Sequence, residues 1–236
     1  MELQAGDLSG RPPGDVPVPP SLGFLADPVP VWLNQLGGLT FSGTLDGEAV
    51  FAKWSPQGFD GEVERLRWAA QFTPVPEVVS VGPDFLVTRA LPAENAVSDR
   101  WRADPATTVA ALGTGLRALH DALPVKDCPF DWSVAGRLER AGIEPFADLL
   151  PVDRFVVCHG DPCPPNTLIA EDGTWLAHLD LGRLGVADRW ADIAVGVMSL
   201  EWNYGPGWDA AYLAAYGVAP DPERMAFYQE LWDRTP

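Results

Sequence analysis

The sequence predicts an α+β chain in two parts: a small β-rich portion over residues 1–90 and a larger, mainly helical portion over residues 91–236. Three observations predict it. Apolar runs around tight-turn dipeptides fill the first third, with one helical stretch inserted. Beyond about residue 90 the apolar spacing changes to steps of three and four. Within that helical portion one more pair of apolar runs flanks Asp172-Gly173. A period near two marks a half-buried strand and a period near 3.6 an amphipathic helix, so the switch marks a change of architecture.

The elements follow in chain order. Residues 1–20, rich in Pro and Gly, read as a loosely ordered arm, and their early acids and lack of an apolar run do not suit a secretory signal. FSGTL and EAVFAKW flank Asp46-Gly47, a hairpin signal. GFDGEVERLRWAAQF (58–72) sets Val63, Leu66, Ala69 and Ala70 at helical spacing, and EVVSV and DFLVT flank Gly82-Pro83 as two more strands. The two portions join near Ala90–Ala93. Asp104-Pro105 starts a helix, Asp capping and Pro in the first turn, and Val109, Leu112, Leu116 and Leu119 give it one apolar stripe. RFVVC (154–158) reads as a buried strand, and TLIA and WLAHL as a hairpin. Residues 187–203, 208–216 and 222–232 read as helices, with Gly217 closing the second and Asp221-Pro222 opening the third. Trp190, Trp202 and Trp208 read as packing residues, and His120 and His178 as core or turn residues.

Composition narrows the function. The formal charge of −17 argues against nucleic acid, whose phosphates need a basic face, and suits a cationic small molecule. No apolar stretch reaches the ~18 residues of a membrane span. Cys128, Cys158 and Cys163 have neither CxxC spacing nor enough histidines for zinc, and suit free thiols in a cytoplasmic protein. Of 16 Lys and Arg residues only Lys53 and Lys126 are lysines. A lysine kept in so arginine-rich a chain points to a site that needs a compact charge.

The densest polar cluster is Cys158-His159-Gly160-Asp161-Pro162-Cys163-Pro164-Pro165-Asn166, between two apolar strands. Asp161 is a candidate base, and Asn166 a candidate oxygen ligand for Mg²⁺. A two-residue turn at Asp172-Gly173 would set Asn166 opposite Leu179, beside Asp180, so that the two could share a metal at the open end of the hairpin. Oxygen donors of this kind suit Mg²⁺ and phosphate rather than zinc.

This cluster resembles the catalytic loop of protein-kinase-like phosphotransferases, with His159-Gly160-Asp161 in place of His-Arg-Asp and Asp180-Leu181-Gly182 in place of Asp-Phe-Gly. LDLGRLGVADRWADIA (179–194) and VVCHGDPCPPN are similar to the aminoglycoside phosphotransferases of the kanamycin- and streptomycin-modifying branch, as are residues 118–131 and the stretch from Tyr216 to Tyr228. The similarity is weaker over 47–93. The resemblance implies a protein-kinase-like two-lobe fold that binds ATP and Mg²⁺ and phosphorylates the 3'- or 3''-hydroxyl of an aminoglycoside; with the composition, the expected partner is that cationic small molecule, with no nucleic acid and no membrane, and the chain is expected to be a monomer. It implies Asp161 as base, Asn166 and Asp180 as metal ligands, Lys53 on the nucleotide phosphates held by Glu62 (Glu64 being the rival), Gly38 and Thr40 in the phosphate loop, and the backbone of Arg89 and Ala90 beside adenine. Arg183 would approach phosphate or substrate, and Asp188 and Asp192 would brace the loop. Acids for a polyamine acceptor would be Glu144, Asp148, Glu201 and Asp233. The chain departs from the pattern in lacking the phosphate-loop Ser, in Arg89 where an acid is common, in a short 131–154 segment, and in the sequence LWDRTP. A kinase for another small cationic metabolite and a nucleotide-binding pseudoenzyme are the alternative functions.

Overall fold

The computed structural model describes residues 10–12, 16–34, 37–144 and 149–235. Two compact units divide the chain, one of residues 1–67 with 76–91 and one of residues 68–75 with 92–236.

The first unit holds β1 (Ala26–Leu33), β2 (Leu39–Leu45), β3 (Glu48–Trp54), α1 (Asp60–Ala69), β4 (Val78–Val81) and β5 (Phe85–Arg89). Its antiparallel sheet runs in the order β1-β2-β3-β5-β4. At the β2–β3 turn Leu45 pairs with Glu48, and Asp46 and Gly47 have φ of 53° and 82°. This is the two-residue turn that suits strand twist, and Asp-Gly tolerates its left-handed backbone. Pro28 and Pro30 lie in β1, whose pairing with β2 shifts register twice. They are tolerated because β1 is an edge strand. Along β3, Val50 and Ala52 are buried and Ala49 and Phe51 exposed, so one face joins Leu22, Leu25, Phe41 and Val87 in the core.

The second unit holds β6 (Glu94–Asn95), α2 (Asp99–Arg102), α3 (Pro105–Ala122), α4 (Val134–Ala141), β7 (Phe155–Cys158), β8 (Thr167–Ile169), β9 (Trp175–His178), β10 (Gly185–Asp188), α5 (Trp190–Tyr204), α6 (Asp209–Tyr216) and α7 (Pro222–Arg234). The Asp104 side chain accepts the Thr107 N–H and caps α3. α3 packs on α6. Gly113 permits the approach, since a Cβ there would lie 2.7 Å from the Tyr212 carbonyl oxygen. α5 is buried along most of its length and packs against α7. Among the described residues no helix is long and apolar enough to cross a membrane.

Four features differ from the sequence reading. The helix expected from residue 187 starts at Trp190, because Gly185–Asp188 pair with β7. The short 131–154 segment contains a helix, α4, capped by Ser133 and closed by Gly142 at φ 65°. The Asp172-Gly173 turn has three residues: the Ala170 N–H donates to the Thr174 carbonyl (2.8 Å), and Gly173 takes φ 85°. A register shift between Leu168 and Ile169 then restores the expected pairing, so Thr167 faces His178 and the Leu179 N–H donates to the Asn166 carbonyl at 2.8 Å. Trp190 is buried, but Trp202 is 62% exposed and packs in no core.

Candidate active site

In the first unit, α1 carries Glu62 to Lys53 on β3, Nζ to Oε1 2.7 Å, with Glu62 buried and Lys53 half-buried. Glu64, the rival carboxylate, faces solvent. Thr40 pairs with Lys53 across β2 and β3. In the β1–β2 loop the Asn34 Oδ1 accepts the Gly38 N–H at 2.7 Å. Gly37 takes φ 81°. The Arg89 N–H donates to the Glu77 carbonyl (2.9 Å) and the Ala90 N–H to the Ala49 carbonyl (3.0 Å). The Arg89 guanidinium pairs with Glu48 and, at 2.8 Å, with Glu77. Both backbone donors of the expected adenine strip are thus engaged within the sheet.

In the second unit, β7 delivers His159-Gly160-Asp161. The buried Asp192 of α5 holds this turn from below: its Oδ2 accepts the His159 N–H (2.6 Å) and its Oδ1 the Gly160 N–H (2.9 Å). His120 of α3 bridges Asp192 Oδ2 (2.9 Å) and the Tyr216 hydroxyl of α6 (2.8 Å). Burial alone would raise the Asp192 pKa, but the His120 hydrogen bond and charge and the Gly160 N–H overcome it and hold the carboxyl below its usual range. His120, Cys158 and Asp192 gather closely enough to suggest a metal. Asp192 is instead filled by hydrogen bonds, and Cys158, its thiol pKa pushed well up by burial, donates to the Asp188 carbonyl at 3.4 Å. Asp188 serves as a second brace, accepting from the Asp153 and Trp190 N–H groups and from Arg224.

Gly160 takes φ 88°, and a Cβ there would collide with the Cβ and backbone of Arg183. Only glycine therefore fits between His159 and Asp161. Asp161 follows with its Oδ1 buried and without a hydrogen-bond partner among the described residues. Burial raises its pKa. The Cys163 thiol and the Arg183 charge oppose that rise, and Asp180 adds to it. Asn166 donates from Nδ2 to the Asp161 carbonyl at 3.0 Å, which leaves its amide oxygen as the available donor atom. Asp180, exposed at the far end of the same hairpin, has φ 57°, a left-handed backbone uncommon outside glycine. The Asn166 amide oxygen and the Asp180 carboxylate are an all-oxygen donor set that fits a hard divalent cation.

The proposed acceptor acids are not gathered in this way. Glu144, Glu201 and Asp233 are exposed, on the segment after α4, on α5 and on α7. Asp148 lies outside the described residues. Arg183 packs against Gly160 of the His159–Asp161 turn, and its guanidinium lies over the rings of Trp232 (4.9 Å) and Trp132 (5.9 Å). Neither Trp was singled out by sequence, because an isolated aromatic residue reads the same in a core as in a stack.

Residues 135–228 match the family described as "Phosphotransferase enzyme family". An aminoglycoside 3'-phosphotransferase of Streptomyces fradiae is 38% identical over 227 residues, covering 77% of this chain and 84% of its own length. The chain belongs to the aminoglycoside phosphotransferase family. It is therefore a phosphotransferase, with a protein-kinase-like fold whose first unit is an antiparallel sheet and whose second is mainly helical. A solved aminoglycoside-3'-phosphotransferase of type VIII superposes on this phosphotransferase with a TM-score of 0.73 at 32% identity, covering 89% of this chain and 93% of its own. An aminoglycoside phosphotransferase of Streptomyces rimosus, solved with ADP and streptomycin, gives 0.67 at 27% identity, covering 92% and 95%.

Proposed function

We propose that this phosphotransferase moves the γ-phosphoryl group of ATP to a 3'- or 3''-hydroxyl of an aminoglycoside, as a monomer in the cytoplasm, and so confers resistance. The observation that carries the reading is Asp161, whose Oδ1 has no hydrogen-bond partner among the described residues on a turn held by Asp192. The backbone of that turn is pinned by Asp192, and the carboxylate left open on it belongs to the residue that must meet a hydroxyl. The similarity to enzymes named for 3'- and 3''-phosphorylation supports the acceptor class.

Asp161 orients the acceptor hydroxyl and takes its proton late, as suits a loose phosphoryl transition state. Asn166 and Asp180 would hold Mg²⁺, which would supply neutralisation of phosphate charge. Lys53, kept in place by Glu62, binds the nucleotide phosphates. The β1–β2 loop with Gly38 and Thr40 covers them, and adenine lies along the backbone at Arg89 and Ala90, where the engaged N–H groups leave recognition to other backbone atoms. Glu144, Asp148, Glu201 and Asp233 attract a polyamine acceptor.

A coupled kinase assay over a panel of aminoglycosides and other amino-alcohols, with product NMR, tests this reading. ATP-dependent phosphorylation of a 3'- or 3''-hydroxyl is expected, with raised tolerance to that drug in a susceptible bacterium. Turnover of a non-antibiotic amine alone would replace the substrate class, and ATP binding with no turnover of any acceptor would point to a pseudoenzyme.

A further inference from the structure

We infer that Trp132 and Trp232 are positioning residues, clamping the Arg183 guanidinium so that its charge stays beside the catalytic turn. This rests on the phosphoryl-transfer reading above, but not on the identity of the acceptor.

Among the described residues, Arg137 and Arg183 lie over indole faces without a carboxylate partner, whereas Arg140, 5.4 Å from the Trp132 ring, pairs with Asp131. Arg137, on α4, is 2% exposed, and its Nη1 and Nη2 have no hydrogen-bond partner among the described residues. Only its Nε finds an acceptor, the Thr235 hydroxyl at 3.1 Å. Its guanidinium lies 4.8 Å from the Trp132 ring centre and 6.0 Å from that of Trp232. Arg183 lies over the same two rings. In a chain with 33 acids, a carboxylate would be the ordinary partner for either.

The chemistry favours the substitution. A carboxylate bound to Arg183 would cancel its charge near Asp161. An indole face attracts a guanidinium through its quadrupole without neutralising it. Arg183 therefore remains a full positive charge, with its Cβ and carbonyl packed on Gly160. Arg137, over the same rings, feels the charge of Arg183. Burial foremost, and then the Arg183 charge, lower the Arg137 pKa to about 10, so Arg137 stays cationic near neutral pH.

A double-mutant cycle between Trp232 and Arg183 tests the clamp, read by kcat with the best acceptor of the panel and by ATP hydrolysis with water as acceptor. Trp232→Ala is expected to lower kcat roughly 3- to 30-fold, the range of a cation–π contact, with the KM for ATP within about twofold. Trp232→Phe, which keeps a π face, stays within about threefold of wild type on the same scale. In an Arg183→Gln background, Trp232→Ala has no further effect beyond about twofold. Trp232→Leu fills the site without a quadrupole and serves if the Ala variant does not fold. Thermal melting of the same four proteins reads the contact without catalysis, and non-additive Tm changes are expected. Additive losses in both kcat and Tm, or wild-type kcat in Trp232→Leu, would overturn the inference. Absence of turnover in the wild type would count against the phosphoryl-transfer reading and leave the Tm cycle to decide the clamp.

Discussion

The Lys53–Glu62 region of the first unit and the catalytic turn of the second handle charge in opposite ways. At Lys53 the positive and negative groups satisfy each other at 2.7 Å, and the nearby backbone donors of Gly38, Arg89 and Ala90 already have acceptors within the protein. At the His159–Asp161 turn the backbone donors are satisfied, but polar side-chain atoms are left open among the described residues, Oδ1 of Asp161 and Nε2 of His159. Asp192 takes up the backbone donors of His159 and Gly160, while Asp161 keeps a buried oxygen with no partner among the described residues. A positioning group can be neutralised by its neighbour and still hold its place. A base must keep an unshared acceptor, and leaving one buried costs free energy that the Asp192 network has to offset.

The comparison breaks most visibly at Asp180. Asp180→Asn, which tolerates the left-handed backbone better than Ala would, is expected to cut Mg²⁺-dependent turnover roughly 10³-fold, several kcal/mol of charge stabilisation. Its Tm should stay near that of the wild type, because the side chain is exposed. A folded variant with wild-type turnover would remove Asp180 from the metal set. Next comes the brace. Asp192→Ala strips the acceptor from two buried N–H groups and His120, and should destabilise the second unit by about 3 kcal/mol in urea melts. A loss under about 1 kcal/mol would mean that the turn holds itself.

Lys53→Ala sharpens the contrast from the other side. It should raise the KM for ATP roughly tenfold, with adenosine affinity unchanged, and lower stability by about 1 kcal/mol because Glu62 loses its partner. Equal losses for ATP and adenosine would show that Lys53 acts on the fold and not on the phosphates. A last effect is in pH. Burial drives the His178 pKa down to about 3 and lowers that of His159. Between about 3 and the ordinary 6.5, the unfolded chain takes up a proton at His178 that the folded chain refuses. Stability therefore rises with pH across that window, by at most about 1.4 kcal/mol per pH unit for His178, and levels off above it. Urea midpoints at pH 7, 6 and 5 should fall in that order, and equal midpoints would contradict the buried neutral imidazole.

Much of the site was legible because its spacing is local. His159-Gly160-Asp161, Asn166 and Asp180 lie on one strand–turn–hairpin, and the Asn166–Leu179 pairing followed from the position of the turn. It survived a wrong turn length only because a bulge compensated for the extra residue. The same Asp-Gly dipeptide makes a two-residue turn at Asp46 and part of a three-residue turn at Asp172, so the dipeptide locates a turn without fixing its length. α4 carried readable caps in Ser133 and Gly142, but an eight-residue helix offers too few repeats for a period to stand out. The start of α5 was misplaced because Gly185–Asp188 become a strand only by pairing with β7, a contact remote in sequence. The stack of Arg137 and Arg183 on Trp132 and Trp232 joins three segments distant in sequence, residues 132–137, 183 and 232, and no local signal announces it.

The central claim is that the open acceptor on Asp161 is the base. Asp161→Asn keeps the shape of the side chain and removes its charge and basicity. Isothermal calorimetry for ATP and aminoglycoside should give near-wild-type binding, while the steady-state rate on the same preparation falls by about 10² or more, the scale of a lost general base. Turnover within a few-fold of wild type would contradict the account and move the base elsewhere.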